Sequence, residues 1–223
     1  MHASDVMVRD VVTVTPDTDI EEAVKLLIAH DISALPVIDG SARLVGIISE
    51  ADLIQRPEIG VDKRRPWWLE AVTPAATLAD EFAKARGKKV GEMMTRNVVT
   101  ATEDTPLAEI AALLEHKRIK RVPIVRDGKV VGVVSRANLI QALATVVGDV
   151  GESPTTDRKI RDDLLDRLKQ QAWTDFGARN VIVRRGEVHF WGLVSSDSER
   201  KALIVLAQSV PGVTRVVDEM FGY

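Results

Sequence analysis

The stretch "LVGIISEADLI" (residues 44–54) decides the fold, because a near copy of it, "VVGVVSRANLI", occupies residues 130–140. The likeness continues upstream, where "DVMVRDVVTVTPDT" from Asp5 aligns with "EMMTRNVVTATEDT" from Glu92. The spacing is 87 residues upstream (92 − 5) and 86 across the first quoted stretch (130 − 44). Self-similarity at so nearly constant a spacing indicates a repeated supersecondary unit. The chain therefore holds two copies of one unit, each about 50 residues long.

Each copy has the same predicted order of elements. Apolar residues at helical spacing, such as Ile20, Ala23 and Leu27, are followed by two short apolar runs on either side of a Gly- and Asp-rich turn. We predict strand, helix, strand, strand and helix in each copy. A single unit of this kind buries its sheet poorly, so the two copies are expected to pack on each other. Thr18 with Glu21, and Thr105 before a proline, are predicted helix caps.

Composition excludes several classes of protein. The 223 residues suffice for one or two ordinary domains, with 45% hydrophobic and 28% charged residues. A net charge of -3 gives no basic footprint, so nucleic acid is not an expected partner. The absence of cysteine excludes disulfides and thiolate metal sites. No apolar run reaches the length of a membrane span and no signal peptide is evident, so we expect a cytoplasmic protein with peripheral membrane association as an option.

The ordered motifs "VVTVTP", "SALPVID" and "GIISEADLI", with "VVTATE", "KRVPIVRDG" and "GVVSRANLI" in the second copy, resemble a tandem pair of CBS domains, the Bateman module. The resemblance implies an α/β (α+β) fold of two β-α-β-β-α repeats. It also implies a regulatory role in which AMP, ADP, ATP or S-adenosylmethionine binds between the repeats, with no other cofactor required. Paired repeats of this family often form flat homodimers.

Four polar residues have the chemistry that such a ligand needs. Ser49 can hydrogen-bond a sugar or phosphate oxygen, and Asp52 can accept two ribose hydroxyls through charge-assisted bonds. Lys120 and Arg121 stand just before an extended segment and can bind phosphate, for which the planar arginine fork is well suited.

The resemblance combines the Ser-x-x-Asp turn of one repeat with the segment before the proline of the other. The implied primary cleft contains Ser49, Asp52, Val98, Val99, Thr100, Lys120, Arg121 and Val122. The implied second cleft contains Val12, Thr13, Ser33, Ala34, Leu35, Ser135 and Asn138. The second cleft has no cation in the matching stretch and an amide in place of the carboxylate, so we expect this site to be weaker, empty or suited to a less anionic ligand.

Simpler interpretations stay open beside these. Ser-x-x-Asp or Asn before an apolar helix is also an ordinary N-cap, and Lys120 with Arg121 also fits a solvated surface pair. The four histidines have no metal-ligand spacing, so no metal site is predicted. No nucleophile elbow, Gly-rich phosphate loop or cysteine nucleophile is evident, and we predict no catalytic residue and no enzymatic activity.

The C-terminal part changes character after a linker. Asp157 is a predicted cap for an apolar helix, and "NVIVRRGEVHFWGLV" predicts a hairpin around Arg185 and Gly186. A second helix with Ser196 and Glu199 at capping-box spacing precedes a last strand. The predicted domain is a small two-layer unit of helix, strand, strand, helix and strand.

This region resembles the BON domain through glycines and aliphatic residues of the hairpin and the last strand. They are Gly186, Val188, Phe190, Gly192, Val194, Gly212, Val213 and Val217. The whole chain thus resembles bacterial proteins that join a CBS pair to a BON domain. The resemblance implies attachment to phospholipid, an envelope surface or a protein partner; a domain used only for packing or dimerisation is the alternative.

The predicted boundaries are CBS repeat 1 at 1–56, a helical and aromatic insertion at 57–90, CBS repeat 2 at 91–147, a linker at 148–156 and the BON domain at 157–223.

The leading functional hypothesis is a non-enzymatic sensor of an adenosine-containing ligand, acting as a homodimer in signal transduction, with the BON domain coupling to a partner or surface. The alternative is a structural or stress-related, phospholipid-associated protein whose clefts are vestigial. Trp67 and Trp68 of the insertion are expected to pack against the module or across a dimer, and a membrane or partner contact stays open.

Overall fold

A computed structural model describes residues 1–54, 87–146, 155–174, 176 and 180–222. Most of the predicted insertion, with Trp67 and Trp68, and most of the predicted linker lie outside the described residues.

The described helices and strands follow the predicted mixed α/β pattern. The helices are α1 (Ala3–Val6), α2 (Ile20–Ala29), α3 (Glu50–Leu53), α4 (Val90–Met93), α5 (Leu107–His116), α6 (Arg136–Val146), α7 (Thr155–Lys169) and α8 (Asp197–Gln208). The strands are β1 (Ala34–Ile38), β2 (Leu44–Ser49), β3 (Arg121–Arg126), β4 (Lys129–Ser135), β5 (Asn180–Arg184), β6 (Glu187–Leu193) and β7 (Arg215–Phe221).

The chain divides into two compact units. Unit 1 consists of Met1–Val11, Val99–Asp127 and Val131–Tyr223, and unit 2 consists of Val12–Val98 and Gly128–Val130. Unit 1 therefore holds most of the second repeat, the C-terminal domain and the beginning of the chain. Unit 2 holds most of the first repeat.

In unit 2, β1 and β2 form an antiparallel pair, and the predicted first strand is reduced to a single parallel bridge between Val14 and Val37. The segment after α4 lies against β2, where Thr95 and Ile47 exchange backbone hydrogen bonds of 2.8 and 2.9 Å. A side chain on Gly46 would collide with the Met94 sulfur, which explains why the repeated motif contains glycine at this position.

Unit 1 repeats this arrangement with the beginning of the chain. The strands β3 and β4 form the second two-stranded sheet, and Ala101 makes a parallel bridge to Ile124. Val8 and Val133 exchange backbone hydrogen bonds of 3.0 and 2.9 Å. Gly132 lies against the Met7 sulfur, as Gly46 lies against that of Met94. α1 thus contributes to the core of the second repeat.

The two threonines predicted to cap helices close the preceding turns instead. α2 begins after Asp19, while the Thr18 hydroxyl accepts a hydrogen bond from the Thr15 amide at 3.0 Å. Thr105 likewise accepts from the Thr102 amide at 3.0 Å, and α5 begins after Pro106. These predicted caps were wrong because each helix begins one residue later than predicted, and the threonine hydroxyl closes the turn before it instead.

The C-terminal domain has the predicted order α7, β5, β6, α8 and β7. Its sheet has the order β5-β6-β7, with β5 and β6 antiparallel and β6 and β7 parallel. The core is formed by apolar side chains of both helices and of the sheet, among them Leu164, Leu168, Phe190 and Leu203, together with Phe176 from the connection between α7 and β5.

The predicted hairpin is confirmed, but the predicted role of Asp157 was wrong. Arg185 and Gly186 have φ values of 51° and 77°, the left-handed pattern of a tight two-residue hairpin turn. The helix already begins at Thr155, and the Asp157 carboxylate accepts the Arg185 and Gly186 amides at 2.7 and 2.9 Å. The carboxylate therefore fixes the hairpin turn to α7.

A buried arginine joins the C-terminal domain to the second repeat within unit 1. Arg161 of α7 is 2% exposed and donates to the carbonyl oxygens of Val181 at 2.6 Å, Ser4 at 3.0 Å and Met7 at 2.7 Å. Burial, with a smaller contribution from the nearby Arg9 charge, lowers the pKa of Arg161 to about 9, so it stays cationic at neutral pH. Its three hydrogen bonds compensate for the lost hydration.

Apolar and charged contacts surround this arginine. Ile182 of β5 is fully buried in the core of the second repeat rather than in that of its own domain. Arg158 binds the buried carboxylate of Asp5 at 2.7 Å. The C-terminal domain and the second repeat are therefore one continuously packed body.

Among the described residues, no helix is both long enough and apolar enough to cross a bilayer.

Candidate ligand-binding site

The turn between β2 and α3 carries the predicted ribose-binding pair. The Asp52 carboxylate accepts the Ser49 amide at 3.0 Å and the Ser49 hydroxyl at 2.8 Å through the same oxygen, Oδ2. The capping interpretation is therefore confirmed for this turn. It does not exclude a ligand role, because a carboxylate has about four lone-pair sites and Asp52 is only half-buried. The cap fixes the carboxylate at the end of a strand, as a pre-organised acceptor requires.

The turn between β4 and α6 repeats this geometry with an amide. Asn138 Oδ1 accepts the Ser135 amide and the Ser135 hydroxyl, both at 2.8 Å. Asn138 is, however, only 6% exposed. The two turns thus have the same cap but differ in the charge and the accessibility of the side chain that makes it.

The predicted cations lie at the beginning of β3. Lys120 is exposed and Arg121 is half-buried, and the Lys120 carbonyl accepts the Arg136 amide at 3.2 Å. In the first repeat the Ser33 carbonyl accepts the Glu50 amide at 3.1 Å, so Ser33 occupies the position equivalent to Lys120. Each repeat therefore ties the start of its first hairpin strand to the start of its last helix.

Several predicted contact residues are core residues. Val122, Ala34 and Leu35 are buried in the cores of their units, so their side chains serve packing and only their backbone atoms are candidates for ligand contact. Val98, Val99, Val12 and Thr13 are half-buried, and Thr100 is exposed.

The residues predicted for each cleft are divided between the two units. Unit 2 contains Ser49, Asp52 and Val98 of the primary cleft and Val12, Thr13, Ser33, Ala34 and Leu35 of the second. Unit 1 contains Val99, Thr100, Lys120, Arg121 and Val122 of the primary cleft and Ser135 and Asn138 of the second. Each half-site has the geometry given above, and their combination into clefts stays a prediction.

Two further cations escaped the sequence reasoning. Lys117 and Arg118 follow α5 and are exposed, so the stretch 117–121 carries four cationic side chains. Arg118 has φ 52° and Asp31, after α2 in the first repeat, has φ 50°, so both close their helix with a left-handed residue. The second repeat therefore has a cation, Arg118, where the first has an anion, Asp31. The contrast is visible when "HKRIKR" (residues 116–121) is aligned with "AHDISA" (residues 29–34).

Within the part of the chain that the structure describes, no group of three or more His, Asp or Glu side chains is placed to hold a metal ion.

Comparison with known proteins gives a consistent family assignment. The CBS domain profile matches residues 3–58 and 90–145, and the BON domain profile matches residues 156–220. The chain therefore belongs to the CBS domain family, and more particularly it carries a tandem CBS pair followed by a C-terminal BON domain.

Related proteins match the CBS pair. The CBS domain-containing protein CBSX1 of Arabidopsis thaliana is 33% identical over 140 residues, which are 60% of this chain and 59% of that protein. The chain thus spans less than two thirds of this relative. An inosine-5'-monophosphate dehydrogenase of Methanocaldococcus jannaschii is 29% identical over 140 residues, 62% of this chain and 23% of the enzyme, so CBS domains also occur within enzymes.

Two solved structures of CBS pairs contain adenosine compounds. The crystal structure of CBSX2 in complex with AMP is 30% identical, has a TM-score of 0.57 and covers 65% of this chain and 97% of that one. A CBS domain pair in complex with 5'-methylthioadenosine and S-adenosyl-L-methionine is 29% identical, with a TM-score of 0.50 over 65% of this chain and 97% of that one.

Proposed function

We propose that this protein is a non-enzymatic sensor that binds an adenosine-containing ligand between its two CBS repeats. The observation that carries the proposal is the Ser49–Asp52 turn, which holds a half-buried carboxylate at a strand end. The AMP and S-adenosylmethionine complexes of related CBS pairs support an adenosine ligand for this chain.

The charges of the two half-sites favour a nucleotide. Asp52 accepts the ribose hydroxyls, since a carboxylate binds two neighbouring hydroxyls through charge-assisted bonds. Lys120 and Arg121 bind the phosphates, with Lys117 and Arg118 adding to the positive potential nearby. AMP, ADP and ATP are therefore the first candidates, and S-adenosylmethionine, which has no phosphate, is the comparison ligand.

The second cleft is the weaker site in this proposal. Its ribose position is the buried amide of Asn138, and its partner stretch around Ser33 contains no cation. One ligand per chain is the expected stoichiometry.

A homodimer built through the CBS repeats is part of the proposal. Ile140 and Leu143 of α6 are 68% and 67% exposed, and they are three residues apart on one helix face. Large apolar side chains at this exposure are typical of a surface that a second copy covers. Leu143→Glu would lower the dimer fraction in sedimentation velocity, and an unchanged dimer would remove this surface from the proposal.

The ligand acts by changing the arrangement that the protein prefers, which requires different affinities for two arrangements. The C-terminal domain passes the change to a partner or to a surface. Its firm packing on the second repeat through Arg161 supports this route, because a loosely tethered domain could not report on the repeat.

Isothermal titration calorimetry with AMP, ATP and S-adenosylmethionine tests the ligand. We expect saturable binding of at least one, with Asp52→Ala weakening it. Failure of all three to bind would overturn the nucleotide proposal. Incubation with ATP should show no turnover, and hydrolysis above the level of an Asp52→Ala control would contradict the non-enzymatic assignment.

A surface-associated structural protein is the second candidate, and exposed apolar residues of the C-terminal domain favour it. Leu193 and Phe221 are neighbours on β6 and β7 and are 48% and 57% exposed. Sedimentation of the full chain with anionic phospholipid vesicles, compared with Phe221→Ser, would detect such binding. Vesicle binding that needs Phe221, together with no nucleotide binding, would favour this candidate over the sensor.

A further inference from the structure

Asn138 lies where the turn of the second repeat meets the C-terminal domain. Its Nδ2 group donates to Gln141 Oε1 at 3.4 Å, one turn further along α6. The same oxygen accepts a hydrogen bond from Asn180 Nδ2, at the start of β5, at 2.6 Å. Three amides therefore connect the Ser135 turn with the first strand of the C-terminal domain, inside unit 1.

The orientation of the three amides is determined by the backbone. The Ser135 amide can only donate, so the side of Asn138 that faces it must be the oxygen. The Asn138 NH₂ group then faces Gln141, which must present its own oxygen, and Asn180 must present its NH₂ group. Asn138 and Asn180 thus share one acceptor, Gln141 Oε1, and this shared oxygen links the turn to β5.

Burial gives this chain of hydrogen bonds its importance. Asn138 and Asn180 are 6% and 3% exposed, and a buried polar group that loses its partner is costly because water does not replace the bond. Nearby, the Arg184 guanidinium donates to the Thr145 carbonyl at 3.0 Å, so α6 and β5 are in direct polar contact.

The residue type at position 138 follows from this role. An aspartate could accept from Ser135, as Asp52 accepts from Ser49, but an ionised carboxylate has no proton to donate to Gln141. Of the two side chains, only the amide can both cap the turn and donate a hydrogen bond to Gln141.

We propose that Asn138 is a coupling residue that links the Ser135 turn of the second repeat to the C-terminal domain through Gln141 and Asn180. Its amide serves domain coupling, and a change at this turn alters how the C-terminal domain is held. The coupling exists without a ligand, so it goes beyond the proposed function and its test is independent of nucleotide binding.

A mutant cycle on the full chain measures the coupling. The unfolding equilibrium constants of Asn138→Ala, Asn180→Ala and the double variant should depart from additivity by about threefold to tenfold, because both side chains donate to Gln141 Oε1. In a Gln141→Ala background the departure should fall below about twofold. Additive effects, or a departure that persists without Gln141, would overturn the proposal.

The first repeat supplies the matched control. Asp52 caps the equivalent turn, so the cycle of Asp52→Ala with Asn180→Ala should be additive within about twofold. A departure as large as that of Asn138 would show a general destabilisation and would contradict a specific link.

Nuclear magnetic resonance gives a second measurement that does not depend on two-state unfolding. In Asn138→Asp the turn keeps its acceptor, so the fold is retained while the donor to Gln141 is lost. The side-chain NH₂ resonances of Asn180 should shift in this variant and stay unchanged in Asp52→Asn. Asn180 resonances that do not respond to Asn138→Asp would overturn the proposal.

Discussion

The turns at Ser49 and Ser135 have the same hydrogen-bonded cap but different surroundings. The carboxylate of Asp52, in α3, is half-buried, whereas the amide of Asn138 is buried and bonded toward the C-terminal domain. Two copies of one motif therefore keep the same cap and differ in the charge and the burial of the residue that makes it. The comparison shows that the amide of Asn138 makes a hydrogen bond to Gln141 that an ionised carboxylate could not donate.

The largest expected loss of stability comes from disrupting the contact between the second repeat and the C-terminal domain, which has no counterpart described for the first repeat. Arg161→Met should lower the free energy of unfolding by about 3 kcal/mol or more, because three buried carbonyl oxygens lose a charged donor. Urea unfolding followed by circular dichroism measures this. Arg167→Met is the control, since Arg167 makes a solvent-accessible pair with Asp163 and its loss should lower the free energy of unfolding far less than the loss of Arg161. Equal losses of stability in the two variants would contradict a particular role for Arg161 in holding the C-terminal domain on the second repeat.

Substitution of the equivalent glycines, Gly46 and Gly132, tests whether the two repeats depend on the same close packing. Gly46→Ala should destabilise the protein by about 1 to 3 kcal/mol, because the new methyl group meets the Met94 sulfur in a packed interior. Gly132→Ala should cost a similar amount against Met7. Thermal unfolding gives both values, with Gly40→Ala as the control because a side chain there meets nothing within 4 Å.

The difference between the turns should appear in ligand affinity. Asp52→Ala should weaken nucleotide binding by about tenfold to a hundredfold, the loss of a charge-assisted hydrogen bond, while Asn138→Ala should change it less. Calorimetric titration of both variants gives the ranking, and their thermal unfolding shows whether each still folds. The reverse ranking would place the stronger site in the cleft of Asn138.

The smallest expected effect is a pH dependence of stability that arises from His189, on the sheet face that meets the second repeat. Burial lowers the pKa of His189, which pairs with Ile182 in the sheet, below its usual value near 6.5. The unfolded chain therefore binds the proton more tightly, and stability is full above about pH 6.5 and decreases as the pH falls toward the lowered pKa. His189→Gln should reduce the loss of stability between pH 7 and pH 5, by less than about 1 kcal/mol. Unfolding midpoints across this range measure it, and identical pH profiles would contradict the assignment.

Much of the fold was predictable because it follows from local sequence patterns. The repeat, the apolar periodicities and the Arg185–Gly186 turn gave the order of elements and both domain types. The wrongly predicted helix caps are polar side chains that have more than one candidate hydrogen-bond partner. Thr18 and Thr105 bind the preceding turn, and Asp157 binds a hairpin 28 residues away.

The candidate site was predictable only in part. The Ser49–Asp52 turn is local, so its cap could be expected, and the cationic stretch is visible in the sequence. The connection from Asn138 to Asn180 spans 39 residues beyond Gln141 and follows no periodic pattern. Arg161 also escaped, since an arginine in an amphipathic helix is normally exposed.

The place of α1 in the second repeat has a consequence for synthesis. Residues Ala3 to Val8 are translated well before their partners around Val133. The first repeat can therefore fold while the apolar side chains of Val6 and Met7 are still uncovered. Until the second repeat emerges, Val6 and Met7 therefore remain exposed apolar surface, the kind of surface that promotes aggregation of nascent chains.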